Sequence, residues 1–243
     1  MILLKRLKKY FGELKVLDGI DLEIPDGDTV VVLGRSGVGK SVLLKCIVGL
    51  LKPTEGEVWV NGVRVDTADW GTLSKLRKKF GYVFQGAALF DWMTVLENVR
   101  LPLIESGIPS KEATERAMEA LEHVGLKDAY TKYPSELSGG MRKRVGIARA
   151  IAVDPEYIFY DEPTSGLDPM TSRMIYDLMQ KLDEELDATT VIISHDIVLA
   201  RRFGHRVIFL EKGKIVYDGP ISRASDSPEF MEFLGREFAE LID

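Results

Sequence analysis

Two clusters in this sequence combine residue types that could handle a phosphoanhydride. Gly34-Arg35-Ser36-Gly37-Val38-Gly39-Lys40-Ser41 has the spacing GxxxxGK[ST], between a β-branched run, Thr29 to Leu33, and a helical pattern from Lys40 to Val48. Glycines let a backbone wrap around phosphate oxygens, and the N–H groups at a helix start attract the anion. Lys40 is expected to reach the β- and γ-phosphates and Ser41 to offer Mg²⁺ an oxygen, so the candidate nucleotide loop runs through Gly34, Arg35, Ser36, Gly37, Val38, Gly39, Lys40, Ser41 and Val42. The second cluster, Asp161-Glu162, closes the short apolar run Tyr157 to Tyr160, at the strand carboxyl end where such sheets take ligands. There Asp161 is expected to hold Mg²⁺ through its water shell. Glu162 is expected to accept a proton from the water attacking a γ-phosphoryl group.

The elements that must position these residues read as a mostly parallel α/β core. Thr29 to Leu33 has the continuous apolar character of a strand buried on both faces, and Phe80 to Phe84, Tyr157 to Tyr160, Thr189 to Ile193 and Arg206 to Leu210 are further short strands. Alternation from Val16 to Ile24 and from Glu57 to Val65, the latter interrupted by Asn61-Gly62, predicts a small antiparallel sheet with a two-residue hairpin. Between about 86 and 155 the rhythm changes. Thr94-Val95-Leu96-Glu97 reads as a capping box, Ser110 as the cap of a helix from Lys111 to Val124, and Gly139 to Val153 as a further helix. This predicts an inserted helical subdomain. Asp168-Pro169 starts a helix to about Leu186, and Phe230, Met231, Phe233, Leu234, Phe238 and Leu241 give the segment from Ser227 to Ile242 an amphipathic pattern.

Bulk properties narrow the class. With 243 residues, 45% hydrophobic and 29% charged, burial is sufficient for a folded domain and neither a disordered tail nor an internal repeat is visible. The single Cys46 can form no internal disulfide, in keeping with a reducing compartment. Apolar runs fall far below the ~20 residues of a membrane helix, and the start Met1 to Arg6 lacks the pattern of a signal peptide, so a cytoplasmic protein is expected. A net charge of -6 argues against broad nucleic-acid binding.

Leu137-Ser138-Gly139-Gly140-Met141 adds a helix start with a capping serine and two glycines through which an anion could approach. With the phosphate loop and the Asp-Glu pair, it resembles the LSGG signature of ABC transporter ATPases. The resemblance extends over residues 1 to 220 and implies a RecA-like P-loop core with an antiparallel β subdomain and the helical insertion at about 86 to 155; beyond it, the amphipathic pattern predicts a helical tail within 221 to 243. By the same resemblance Gln85 is the Q-loop glutamine, contacting Mg²⁺ and the γ-phosphate, and Ser165-Gly166-Leu167-Asp168 is the D-loop. His195 is the switch histidine, and Phe11 stacks on adenine, with Tyr10 as its rival because a one-residue strand slip exchanges the two.

Members of this family pack head to tail, so the resemblance implies an ATP-driven homodimer in which Ser138, Gly139, Gly140 and Met141 of one copy close over the nucleotide of the other. It implies an integral-membrane permease as partner, a place on the cytoplasmic face of the inner membrane, ATP and Mg²⁺ as ligands, and no nucleic acid. DNA-repair relatives carry a long coiled coil and translation factors two cassettes. This chain has a short helical insert and one cassette. Met141-Arg142-Lys143-Arg144-Val145 and Gln85-Gly86-Ala87-Ala88-Leu89-Phe90 resemble ATPases of mammalian-cell-entry (MCE) lipid transporters, implying phospholipid cargo and an MCE-domain partner; a polar amino-acid or other small-solute importer is the alternative. Arg142, Lys143 and Arg144 themselves read as a solvated helix face, with direct nucleotide or partner contact as the alternative.

Overall fold

The computed structural model describes residues 1–203 and 205–234. In chain order its strands are β1 (Ile2–Phe11), β2 (Leu14–Ile24), β3 (Thr29–Leu33), β4 (Glu55–Val60), β5 (Val63–Arg64), β6 (Phe80–Val83), β7 (Tyr157–Asp161), β8 (Thr189–Ser194), β9 (Arg206–Glu211) and β10 (Lys214–Gly219). The helices are α1 (Lys40–Ile47), α2 (Trp70–Arg77), α3 (Val95–Glu105), α4 (Ser110–His123), α5 (Gly139–Ile151), α6 (Pro169–Glu185), α7 (Ile197–Phe203) and α8 (Pro228–Leu234). The chain forms two compact units, one joining Met1–Arg77 to the segment from Thr189 onward, the other comprising Lys78–Ala188.

In the first unit, β3 lies between β8 and β9 in parallel register, with β10 antiparallel on the far side of β9. Val30 to Leu33 and all of β8 are buried, as expected of strands covered on both faces. A separate antiparallel sheet runs β2-β1-β4-β5. Its β4–β5 turn is Asn61-Gly62, both at positive φ (51° and 72°), the backbone that a two-residue hairpin requires. β1 is absent from the sequence expectations. Its register against β2 shifts between Leu4 and Leu7 and again near Tyr10, and the buried residues Ile2, Leu4 and Leu7 therefore break strict alternation.

In the second unit β6 and β7 pair in parallel, and Phe80 sets its ring edge-on to Tyr157 and Phe159 at 5.8 and 5.2 Å. Helices α3, α4 and α5 pack on one another, burying Val95, Val99 and Leu103 of α3 with Ala113, Ala117 and Leu121 of α4. The capping box of α3 is present: the Thr94 side chain accepts from Glu97 N–H, and Glu97 Oε2 accepts from Thr94 N–H at 2.7 Å. Ser110 is not the cap of α4. It is the first helical residue, preceded by Pro109, whose fixed φ of -55° prepares the chain for the helix without a side-chain hydrogen bond. α8 begins where the amphipathic tail was expected, with Phe230 buried against Phe209 (5.2 Å) and Tyr217 (5.7 Å); Phe238 and Leu241 lie outside the described residues.

Candidate functional site

The phosphate-loop candidate connects β3 to α1, as its spacing requires. A Cβ on Gly34 would lie 2.4 Å from the Leu210 carbonyl oxygen, and Gly39 combines a φ of 107° with an approach of 2.9 Å to the Val16 side chain. Both positions therefore exclude a side chain, by close approach at one and by backbone and space at the other. Gly39 precedes α1 without a side-chain cap, and the first turn of α1 has no acidic residue, so the positive helix end stays favourable to an anion. Lys40 is buried, and its ammonium curls back to donate to the carbonyls of Gly34 (2.7 Å) and Arg35 (3.1 Å). Ser41 and Val42 follow within the first turn.

His195 is in the same unit. Ser194, the last residue of β8, is in register with Leu33, and exposed His195 thus follows directly beside the strand end from which the phosphate loop leaves. Phe11, at the end of β1, is 47% exposed with Lys9 Nζ 5.0 Å from its ring centre. Tyr10 is less accessible, since its hydroxyl donates to Asp18 Oδ1 at 2.8 Å.

The second unit assembles the remaining candidates. Asp161 and Glu162 are buried at the end of β7, and Tyr82 Oη donates to Asp161 Oδ2 at 3.2 Å. Burial, together with the charge of Asp161, pushes the Tyr82 phenol pKa up, keeping it a donor. Glu162 takes a φ of 48°, unusual for a residue with a side chain, and Ser165 N–H donates to its carbonyl at 3.1 Å. Gln85 Nε2 donates to Ser165 Oγ at 3.2 Å, which joins the Q-loop and D-loop candidates. After Gly166 and Leu167, Asp168 caps α6, accepting from Thr171 N–H at 2.9 Å and Thr171 Oγ1 at 2.6 Å. These hydrogen bonds hold the Asp168 carboxyl below its ordinary pKa.

Ser138 caps α5, its hydroxyl accepting from Met141 N–H at 3.2 Å. Gly139 and Gly140 open the helix, and a Cβ on Gly140 would stand 2.5 Å from Thr171 Cγ2. Close packing on α6 therefore accounts for Gly140 as well as any anion does. Of the three basic residues that follow, Arg142 is exposed as a solvated face requires and Arg144 is half-buried, but Lys143 turns inward. Arg142 Nη1 donates to Leu137 O at 2.6 Å and Arg144 Nη1 to Val124 O at 3.2 Å, while Lys143 is only 5% exposed and donates to the carbonyls of Gln85 and Glu162. Desolvation lowers the Lys143 pKa, opposed by the charges of Glu162 and Asp161. The sequence carries a signal for this burial: Gly140, Lys143, Ile147 and Ala150 recur at helical spacing on the buried side of α5.

Past Gln85 the loop has Ala87 and Ala88 at φ 61° and 47°, with Arg149 donating to their carbonyls at 2.6 and 2.7 Å. Ala87 is buried, whereas Phe90 and Trp92 are exposed with ring centres 5.2 Å apart. Buried Asn98 fixes this stretch, accepting from Phe90 N–H and donating to the carbonyls of Phe90, Met93 and Thr94. No helix among the described residues is long and apolar enough to cross a membrane.

Residues 17–165 match the ABC transporter family. Among curated proteins, the chain is 44% identical over 225 residues to the methionine import ATP-binding protein MetN of Carboxydothermus hydrogenoformans, covering 91% of this chain and 67% of that one. It is 38% identical to MetN of Brucella abortus, covering 93% and 61%. Against the glutamine transport ATP-binding protein GlnQ of Geobacillus stearothermophilus identity is 41% over 230 residues, 94% of each. The chain thus spans about two thirds or less of the methionine import proteins and nearly all of GlnQ. The ATP-binding cassette MJ0796, solved as a dimer in a post-hydrolysis state with ADP and Pi, superposes with a TM-score of 0.83 at 40% identity, covering 90% of this chain and 98% of that one.

Proposed function

Since the chain belongs to the ABC transporter ATPase family, we propose that it binds and hydrolyses ATP to drive transport through a membrane permease. The observation that carries this reading is the Gly34–Ser41 loop between β3 and α1, with Lys40 turned onto the loop carbonyls. A triphosphate would accept the hydrogen bonds of that ammonium and meet the positive start of α1, while adenine stacks on Phe11, the more exposed of the two adjacent aromatics. Ser41 Oγ, the Gln85 amide oxygen and, through water, the Asp161 carboxylate are the proposed Mg²⁺ partners, each a hard oxygen of the kind Mg²⁺ takes, and it needs only one or two protein carboxylates when phosphates complete its shell. When bound, Mg²⁺ would neutralise charge on the phosphates. Glu162 accepts a proton from water as its oxygen bonds to the γ-phosphorus and the bond to the bridging oxygen breaks, giving ADP and phosphate. His195 stabilises the γ-phosphate.

Glu162→Gln is expected to retain ATP binding and to lose turnover by about a hundredfold or more, whereas Lys40→Ala weakens ATP binding itself. Wild-type turnover in Glu162→Gln, with its permease present, would show that the base is another group. Ser138 to Met141 are proposed to complete the nucleotide site of a second copy, and Ser165 to Asp168 to line the same interface. In this reading 1–220 form the ATPase domain, 86–155 its helical subdomain and 221–243 a tail, and the protein works at the cytoplasmic face of the inner membrane without nucleic acid.

The relatives' names favour a small solute such as an amino acid as cargo. The lipid reading, with phospholipid and an MCE-domain partner, has no support from them and rests on Met141–Val145 and Gln85–Phe90 alone. Exposed Phe90 and Trp92 are the proposed permease contact, because apolar surface in a loop commonly marks a partner site. Purification of the native complex decides the cargo class: an amino-acid-binding protein supports the import reading, and an MCE-domain subunit with co-purified lipid overturns it.

A further inference from the structure

We propose that Lys143 is a positioning residue for hydrolysis: its ammonium ties the Gln85 carbonyl to the Glu162 carbonyl and so fixes the backbone from which the γ-phosphate contact and the base project. This deepens the ATPase reading and rests on it. Lys143 projects from the buried side of α5, and its Nζ donates to Gln85 O and, at 3.3 Å, to Glu162 O. Both acceptors are backbone atoms, so Lys143 holds the backbone at Gln85 and Glu162 without engaging either side chain.

Glu162 is the residue that most needs such support. A side-chain-bearing residue in the left-handed region persists only where its surroundings over-determine it, at a cost of about 1–3 kcal/mol. Here the Glu162 carbonyl accepts two hydrogen bonds, from Ser165 N–H at 3.1 Å and from Lys143, and the same Ser165 receives the Gln85 amide at 3.2 Å. Lys143, Gln85, Ser165 and Glu162 thus close a ring of contacts that joins the Q-loop, the D-loop and the end of β7. Two turns further along α5, Arg149 repeats the arrangement on the carbonyls of Ala87 and Ala88, at two more left-handed residues. Helix α5, capped by Ser138, therefore holds three carbonyls of the Q-loop segment and the one of the base. Movement of the Ser138 end of α5 is transmitted to Gln85 and Glu162 through Lys143.

The test uses the full chain with Mg-ATP, comparing Lys143→Met, which keeps length and removes the donors, with Lys143→Arg, which restores them. Displacement of a catalytic group by about 1 Å can cost a hundredfold in rate, so Lys143→Met is expected to lower kcat between about tenfold and a hundredfold while KM for ATP stays within about twofold. Lys143→Arg recovers most of the loss. Wild-type kcat in Lys143→Met, or a fall in ATP affinity that accounts for the whole effect, overturns the assignment. If Lys143→Met does not fold, Lys143→Gln, which keeps an amide donor, is measured instead; an intermediate kcat at unchanged KM supports the role and an unchanged kcat refutes it. Glu162→Gln is run in parallel. Normal turnover there overturns the underlying assignment of the base, whereas a silent Glu162→Gln beside a normal Lys143→Met overturns the role of Lys143 alone.

Discussion

A phenol helps to orient Asp161. Tyr82 Oη donates to Asp161 Oδ2, and a hydrogen bond to a carboxylate contributes about 1.5–3 kcal/mol. Tyr82→Phe removes the donor and keeps the ring that lies 4.2 Å from Phe84. A several-fold rise in the Mg²⁺ concentration needed for half-maximal ATPase activity is expected, at a Tm close to wild type; an unchanged Mg²⁺ titration would mean that Asp161 needs no such orientation or holds no metal. The residue scale is also where sequence patterns serve best and then fail abruptly. Lys40 could be placed because the motif fixes both neighbours and context. For Lys143 the helical spacing of α5 points inward, but a lysine flanked by two arginines ordinarily faces water, and pattern does not name the two carbonyls that accept from it, 58 and 19 residues away.

Elements repeat that contrast. β3 and β8 were legible because a strand covered on both faces must be apolar throughout, whereas β1 was not, because its bulges shift the inward positions out of a period of two. Asn98 is the clearest case of an element held by a polar residue that sequence leaves unremarked. Wholly buried on α3, it bonds three carbonyls and one N–H of the segment 90–94, so Asn98→Ala leaves those groups unsatisfied and should cost about 2–4 kcal/mol, read as a lower midpoint of denaturant unfolding. A midpoint unchanged by the substitution would mean that water replaces the amide. For α5 against α6 the expected defect is steric. Gly140→Ala drives a methyl to within 2.5 Å of Thr171 Cγ2, which overpacking of this kind puts at about 1–3 kcal/mol. Thr171→Ser deletes that methyl and retains the hydroxyl that bonds Asp168, so the double variant should regain most of the lost stability. Additive losses would exclude the clash.

At the scale of the molecule, periodicity marks helices but not how contacts group them, so the compact unit Lys78–Ala188, which includes β6, β7 and α6 with α3 to α5, could not be delimited from pattern alone. Assembly is the property left for experiment. One chain carries a phosphate loop at the start of α1 and another, serine-capped and glycine-opened helix start at Ser138, and the proposed closed dimer would give the latter a nucleotide to meet. If ATP is the link between copies, association must require ATP and persist when hydrolysis is blocked. Glu162→Gln with Mg-ATP is therefore expected to sediment as a dimer and without ATP as a monomer. Ser138→Arg, which replaces the cap with a bulky cation at the proposed interface, should abolish the dimer while leaving ATP binding to its own loop. The tail offers a competing route to association, but Phe230 is already buried against Phe209 and Tyr217 within the chain, which leaves it unavailable to a partner. A dimer that forms without ATP and survives Ser138→Arg would therefore refute head-to-tail closure and point to a surface other than the signature helix.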